Sequence, residues 1–160
     1  MTKGFGVIGT GLWGEYHALT YSTYPGAELV AVCDANAERA AEISLRYNAG
    51  HWYTDYQELL ANEKVDAVTV ATPDYLHTEV GIAAAEAGKD ILMEKPLALT
   101  VEDCRAVIAA ADQASVKLMV DFHNRWNPPF NMLKEGIEAG ELGESVLVNA
   151  GRQSEGHMVI

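Results

Sequence analysis

Two short stretches carry residue types at spacings that could do chemistry. The first, FGVIGTGLWGEYH over residues 5–17, sets Gly9, Gly11 and Gly14 in a G-x-G-x-x-G pattern, with Leu12 and Trp13 between the last two. That spacing suits a turn with three separate tasks: a tight bend at Gly9, close backbone approach to a pyrophosphate at Gly11, and close packing of a helix on a strand at Gly14. The N–H groups opening that helix would then face the phosphates. Twenty residues after Gly14 stands Asp34, where a carboxylate can accept hydrogen bonds from adenosine ribose hydroxyls and would repel a 2′-phosphate. NAD(H) is therefore expected ahead of NADP(H), with Arg39 the competing signal, since a nearby arginine could serve that phosphate instead. Glycine-rich turns also arise for conformational reasons alone, so a nucleotide-free turn beside a capping Asp34 is the alternative.

The second stretch is MEKPLALT, residues 93–100, in which Glu94, Lys95 and Pro96 follow an apolar run. A lysine is thereby delivered on a turn that proline stiffens. Hydride transfer between a carbinol and a nicotinamide needs a group that takes or shares the hydroxyl proton. A lysine does this as a neutral amine, or orients the oxygen as a cation. The alternative is a solvated Glu-Lys turn ahead of a capped helix. Upstream, ATPDYLH (71–77) offers Thr72 and Pro73 leaving a strand, Asp74 placed to cap the next helix, and His77 in that helix's first turn, facing the same crevice. Such a histidine either contacts cofactor or substrate or serves as a structural hydrogen-bonder.

Elements must hold these groups in place. Apolar runs at 5–9, 28–34, 66–72, 90–94 and 117–122 predict buried strands, with 51–53 a weaker sixth. Between them, segments 12–24, 36–48, 55–62, 74–88 and 100–114 carry apolar or alanine positions at helical spacing. Asn36 is placed to cap one helix, Gly88 to end another, and Thr100 with Asp103 forms a capping-box pattern. Strand and helix alternating this often predict an α/β fold, a doubly wound parallel sheet with right-handed crossovers.

Composition narrows the function classes. The 160 residues, 49% of them hydrophobic, suffice for one core, and 23 acidic against 11 basic residues give a formal charge of −12. Nucleic acid and anionic membrane surfaces are not expected partners of such a chain. Cys33 and Cys104 lack metal-ligand spacing, so reduced, buried thiols and no metal site are expected. Without a leader-like start or an 18-residue apolar run, the expected location is the cytoplasm.

Taken together, GTGLWGEYHA (9–18), Asp34, ATPDYLHTEV (71–80), EKPLALTVEDC (94–104) and FHNRWNPPF (122–130) resemble the N-terminal half of the Gfo/Idh/MocA family, from about residue 4 to residue 150. The resemblance implies a Rossmann-type fold and a nicotinamide-dependent oxidoreductase acting on a sugar, an inositol or a related polyol. It implies that Gly9, Gly11 and Gly14, with Leu12 and Trp13, hold the pyrophosphate, that Asp34 holds the ribose, and that Thr72, Pro73 and His77 line the nicotinamide side. Glu94, Lys95 and Pro96 match the family's E-K-P motif, which makes Lys95 the catalytic residue and the flanking Glu94 and Pro96 cofactor contacts. Asn124 and Arg125 match a family position close to cofactor and substrate, and Pro128 and Pro129 would open a helix running to about residue 139.

On this reading residues 1–122 form the dinucleotide-binding domain. Residues 123–160 then supply a connecting helix and the first strand, 144–150, of a substrate and oligomerisation domain. Family members are much longer, and the Asp and His partners of their lysine lie beyond this stretch; His157 comes too early to stand for either. The expectation is a fragment or truncated form of a dehydrogenase, its parent a homo-oligomer through the second domain, binding NAD(H) weakly on its own. Two other readings are a non-catalytic dinucleotide sensor and a structural partner whose strand at 144–150 completes another chain's sheet.

Overall fold

A computed structural model describes residues 2–144, so most of the strand expected over 144–150, and His157, lie outside the described residues. Largely apolar runs form β1 (Lys3–Ile8), β2 (Ala27–Cys33), β4 (Ala67–Val70) and β5 (Asp90–Glu94), and β3 (His51–Tyr53) and β6 (Leu118–Asp121) lie at the edges. All neighbouring pairs are parallel and the order is β3-β2-β1-β4-β5-β6. This is the doubly wound Rossmann-type sheet. Its order reverses at β1, which leaves a crevice beyond the carboxyl ends of β1 and β4.

The helices are α1 (Leu12–Thr23), α2 (Ala37–Tyr47), α3 (Tyr56–Leu60), α4 (His77–Glu86), α5 (Val101–Ala114) and α6 (Pro128–Glu138). Successive strand residues point to opposite faces, so the sheet feeds two cores. Val7, Leu29 and Val32 pack with Ala18 of α1 and Ile43 of α2. Ile8, Val30, Val68 and Val70 pack with Leu59 of α3, Val80 of α4 and Val107 of α5. Each fully buried valine, leucine or isoleucine contributes about 2 kcal/mol by leaving water.

Local punctuation follows the sequence with one exception. Asn36 Oδ1 accepts the Arg39 N–H at 3.2 Å, and Gly88, at φ +72°, follows the end of α4. Thr100 Oγ1 accepts the Asp103 N–H at 3.1 Å, and its hydroxyl donates to Asp103 Oδ2 at 2.7 Å, so the box closes on the hydroxyl. The exception is Asp74, which opens a 3₁₀ turn, Asp74–Leu76, and caps no helix. Pro73, at φ −53°, accepts the Leu76 N–H at 2.9 Å, and this tighter turn delays α4 until His77, with Leu76 at its N-cap.

The chain divides into two compact units, Met1–Asp121 and Phe122–Ile160. The first holds the whole sheet, and in the second α6 opens on Pro128 and Pro129. No helix among the described residues is long and apolar enough to cross a membrane.

Candidate cofactor site

The glycine turn joins β1 to α1. Gly9 donates its N–H to the Cys33 carbonyl at 2.8 Å and takes φ +88°, where a side chain is strained; a Cβ there would also lie 2.6 Å from the Ala71 carbonyl oxygen. At Gly14 a Cβ would lie 1.8 Å from the Gly9 carbonyl oxygen, so α1 seats directly on the turn. Gly11 differs from both. It is the N-cap of α1 at φ −63°, gives the helix no side-chain cap, and a Cβ built on it meets nothing within 4 Å. The open space lies at the helix head, where the first N–H groups lack intrahelical acceptors and the dipole is positive.

Asp34 follows β2 and is tied to this turn. Its Oδ2 accepts both the N–H and the hydroxyl of the fully buried Thr10, each at 2.8 Å, and its Oδ1 accepts the Asn36 N–H at 3.0 Å. A carboxylate offers about four acceptor positions, so Oδ1 can still take a further donor. Arg39 donates from Nε to the Thr10 carbonyl at 2.9 Å and from Nη1 to Glu42 at 3.0 Å, and its Nη2 pairs with Glu15. Glu15 also pairs with Arg46 and accepts the Tyr47 hydroxyl at 2.8 Å. The Arg39 and Tyr47 hydrogen bonds hold the Glu15 carboxyl down at about 2, and Glu15 in turn raises Arg39. The Arg39 charge is thus already matched by two carboxylates. Beside Asp34, burial pushes the Cys33 thiol up to about 12; Cys33 is buried as expected, whereas Cys104 is only half-buried.

The opposite side of the crevice is a cleft of about 190 Å³, lined by Trp13, Ala71, Thr72, Asp74, His77, Glu94, Lys95 and Pro96. His77 is 1% exposed, with Nδ1 2.7 Å from the Pro96 carbonyl oxygen and Nε2 3.0 Å from that of Thr72. The ring therefore bridges the turn after β4 to the turn after β5, with a carbonyl acceptor facing each of its nitrogens. Thr72 Oγ1 is buried and finds no hydrogen-bond partner among the described residues. Lys95 is exposed, the Lys95–Pro96 peptide is cis, and the Lys95 ammonium makes no ion pair among the described residues. Its backbone N–H donates to Glu94 Oε2 at 3.3 Å. Glu94 is 4% exposed, and its Oε1 lies 3.0 Å from His17 Nε2, which is 3.7 Å from Asp121 Oδ2.

The turn residues and the Thr72, His77 and Lys95 group are thus brought together at one end of the sheet. Asn124 and Arg125 belong to the second unit, exposed on the 3₁₀ turn His123–Trp126, beside a hollow of about 540 Å³ that Trp126, Phe130 and Lys134 also line. Sequence reasoning missed Thr10, Glu15, His17 and Asp121. A signal for His17 existed: it stands three residues after Gly14, on the α1 face that seats on the turn. Asp121 had none, because its opposition to Glu94 depends on the β5–β6 register.

Sheet order, glycine turn and acidic residue after β2 define a Rossmann domain of the dinucleotide-binding class. The chain belongs to the Gfo/Idh/MocA oxidoreductase family: the family's NAD-binding Rossmann-fold model matches residues 3–122. It is 35% identical over 151 residues to scyllo-inositol 2-dehydrogenase (NAD(+)) of Bacillus subtilis, covering 94% of this chain and 44% of that one. It is 38% identical over 136 residues to 4-carboxy-2-hydroxymuconate-6-semialdehyde dehydrogenase of a Sphingobium species, covering 85% of this chain and 43% of that one. Among solved structures, levoglucosan dehydrogenase in complex with NADH and levoglucosan superimposes with a TM-score of 0.81 at 34% identity, over 90% of this chain and 41% of that one. The chain therefore spans less than half the length of these relatives.

Proposed function

We propose that this chain is the NAD(H)-holding part of a dehydrogenase that moves a hydride between nicotinamide and a carbinol of a sugar, inositol or related polyol. The observation that carries the reading is Gly11. Gly9 and Gly14 are required by the chain's own turn, whereas Gly11 has ordinary dihedrals and open space. A glycine there serves something outside the chain, and a pyrophosphate on uncapped helix N–H groups fits that space. The buried Thr72 Oγ1, which has no hydrogen-bond partner among the described residues, lies in the cleft beside Lys95 and supports a second polar contact with the same ligand.

In this reading Gly11, Leu12 and Trp13 hold the phosphates, and the spare acceptor position of Asp34 takes a ribose hydroxyl. Asp34 repels a 2′-phosphate and Arg39 is already paired, which favours NAD(H) over NADP(H). Thr72, Pro73 and His77 with Glu94 and Pro96 shape the nicotinamide side. The chemistry that a bound nicotinamide supplies is acceptance or return of a hydride. Lys95 takes or shares the proton of the reacting hydroxyl and orients its oxygen. Asn124 and Arg125 serve the substrate, and the relatives named for inositol and levoglucosan support a polyol or sugar. A cytoplasmic homo-oligomer, assembled through a second domain and with neither nucleic acid nor membrane as partner, completes the proposal.

The test is Lys95→Ala in a chain carrying its substrate domain. Polyol-dependent reduction of NAD should fall by about a hundredfold or more, while calorimetric affinity for NADH stays within about threefold, less than 1.4 kcal/mol. Near-normal turnover would return Lys95 to a solvated turn and sink the catalytic reading.

A further inference from the structure

His17, Glu94 and Asp121 form a close trio of titratable side chains, and the proposed chemistry gives His17 and Asp121 no task. Its ligand-type atoms lie within 4.8 Å of one another, one each from α1, β5 and β6. All three side chains are largely shielded, at 14%, 5% and 19% exposure. An ionised carboxylate only accepts hydrogen bonds, so the 3.0 Å contact between His17 Nε2 and Glu94 Oε1 puts the proton on Nε2. Asp121 Oδ2, 3.7 Å from the same nitrogen, lies beyond hydrogen-bond distance and adds a second negative charge beside it. Tyr21, one turn further along α1, bounds the histidine ring at 6.2 Å, and its hydroxyl is engaged by Thr69 Oγ1 at 2.6 Å.

We infer that His17 is a positioning residue for the Glu94–Lys95–Pro96 turn. The inference rests on the proposal that Lys95 acts on the reacting hydroxyl. Glu94 is the intermediate. One carboxylate oxygen is held by His17, which leaves the other aimed back at the Lys95 N–H at 3.3 Å, so the first residue beyond β5 is pinned through a buried side chain. Without His17 the Glu94 carboxylate keeps no other side-chain donor among the described residues. A buried carboxylate stripped of its donor turns or draws in water, and the turn beyond it loosens. His17 also sits on the helix whose head is Gly11, six residues or about 9 Å along the axis. One rigid helix thus sets both the phosphate end of the crevice and the turn that carries the lysine.

The experiment is amide hydrogen exchange by NMR on the 160-residue chain, comparing wild type with His17→Leu and His17→Gln, with an NADH titration of each. Gln places an N–H donor near the Nε2 position, and Leu fills the space without one. His17→Leu should speed exchange of the Lys95 amide by about tenfold, leave Thr69 and the other β4 amides unchanged, and weaken NADH; His17→Gln should restore both. An unchanged Lys95 amide in His17→Leu overturns the inference. So does equal acceleration in both variants, or acceleration spread through β4 and β5, since either marks His17 as packing alone. If wild type takes no NADH while the exchange pattern holds, the dinucleotide reading fails and the bracing of the turn by His17 stands.

Discussion

Asp34 accepts three hydrogen bonds from its own chain, two of them from Thr10, before any ligand arrives. Its substitution therefore has two effects that separate by cofactor. Loosening the turn should weaken NADH and NADPH alike, whereas loss of the proposed ribose contact should weaken NADH alone and loss of the repulsion of a 2′-phosphate should strengthen NADPH alone. Thr10→Val removes one donor and should weaken both cofactors to the same extent, by roughly fivefold, for about 1 kcal/mol. Asp34→Ala should in addition cut the preference for NADH by about tenfold or more. An unchanged NADH to NADPH ratio in Asp34→Ala would remove the ribose role. Glu15 gives a pH prediction at the same scale. Its carboxyl is lowered from 4.5 to about 2 by Arg39 and Tyr47. A depressed carboxyl stabilises the fold fully above the unfolded value and loses that contribution as pH falls through the folded one. The thermal midpoint of wild type should exceed that of Glu15→Gln at pH 7, and the gap should close between pH 4.5 and pH 2. A gap that persists across that window contradicts the ion-pair account.

At the scale of elements, the glycine turn yields opposite expectations for Gly11 and Gly14. Gly14→Ala forces a Cβ to 1.8 Å from a backbone oxygen and should destabilise the fold by about 3 kcal/mol or more, read as a large drop in midpoint. Gly11→Ala meets no atom and should cost about 1 kcal/mol at the N-cap, yet weaken NADH by about tenfold or more. An alanine at Gly11 that leaves NADH affinity intact would show that the open space serves no phosphate. These positions were legible because glycine spacing, apolar runs and caps are local signals. Six strands, the alternation and the caps at Asn36 and Thr100 all appear where residue types place them. Asp74 was misread because Pro73 and Leu76 close a 3₁₀ turn that outcompetes the cap, a choice no single residue type announces. The His17, Glu94 and Asp121 trio was not legible, since residues 77 positions apart meet only once the sheet is assembled.

Across the whole molecule, a charge of −12 opposes any anionic cofactor at long range, so the phosphate end must rely on local helix N–H groups. The chain also spans only 44% of the length of its scyllo-inositol dehydrogenase relative. The central claim is that this half holds NAD(H) through the Gly11 space and Asp34. Calorimetric titration of the 160-residue chain with NADH and with NADPH, at one fixed ionic strength, tests it most directly. The account predicts saturable heat with NADH and a preference over NADPH of about tenfold or more. Equal affinities, or tighter NADPH, would contradict it.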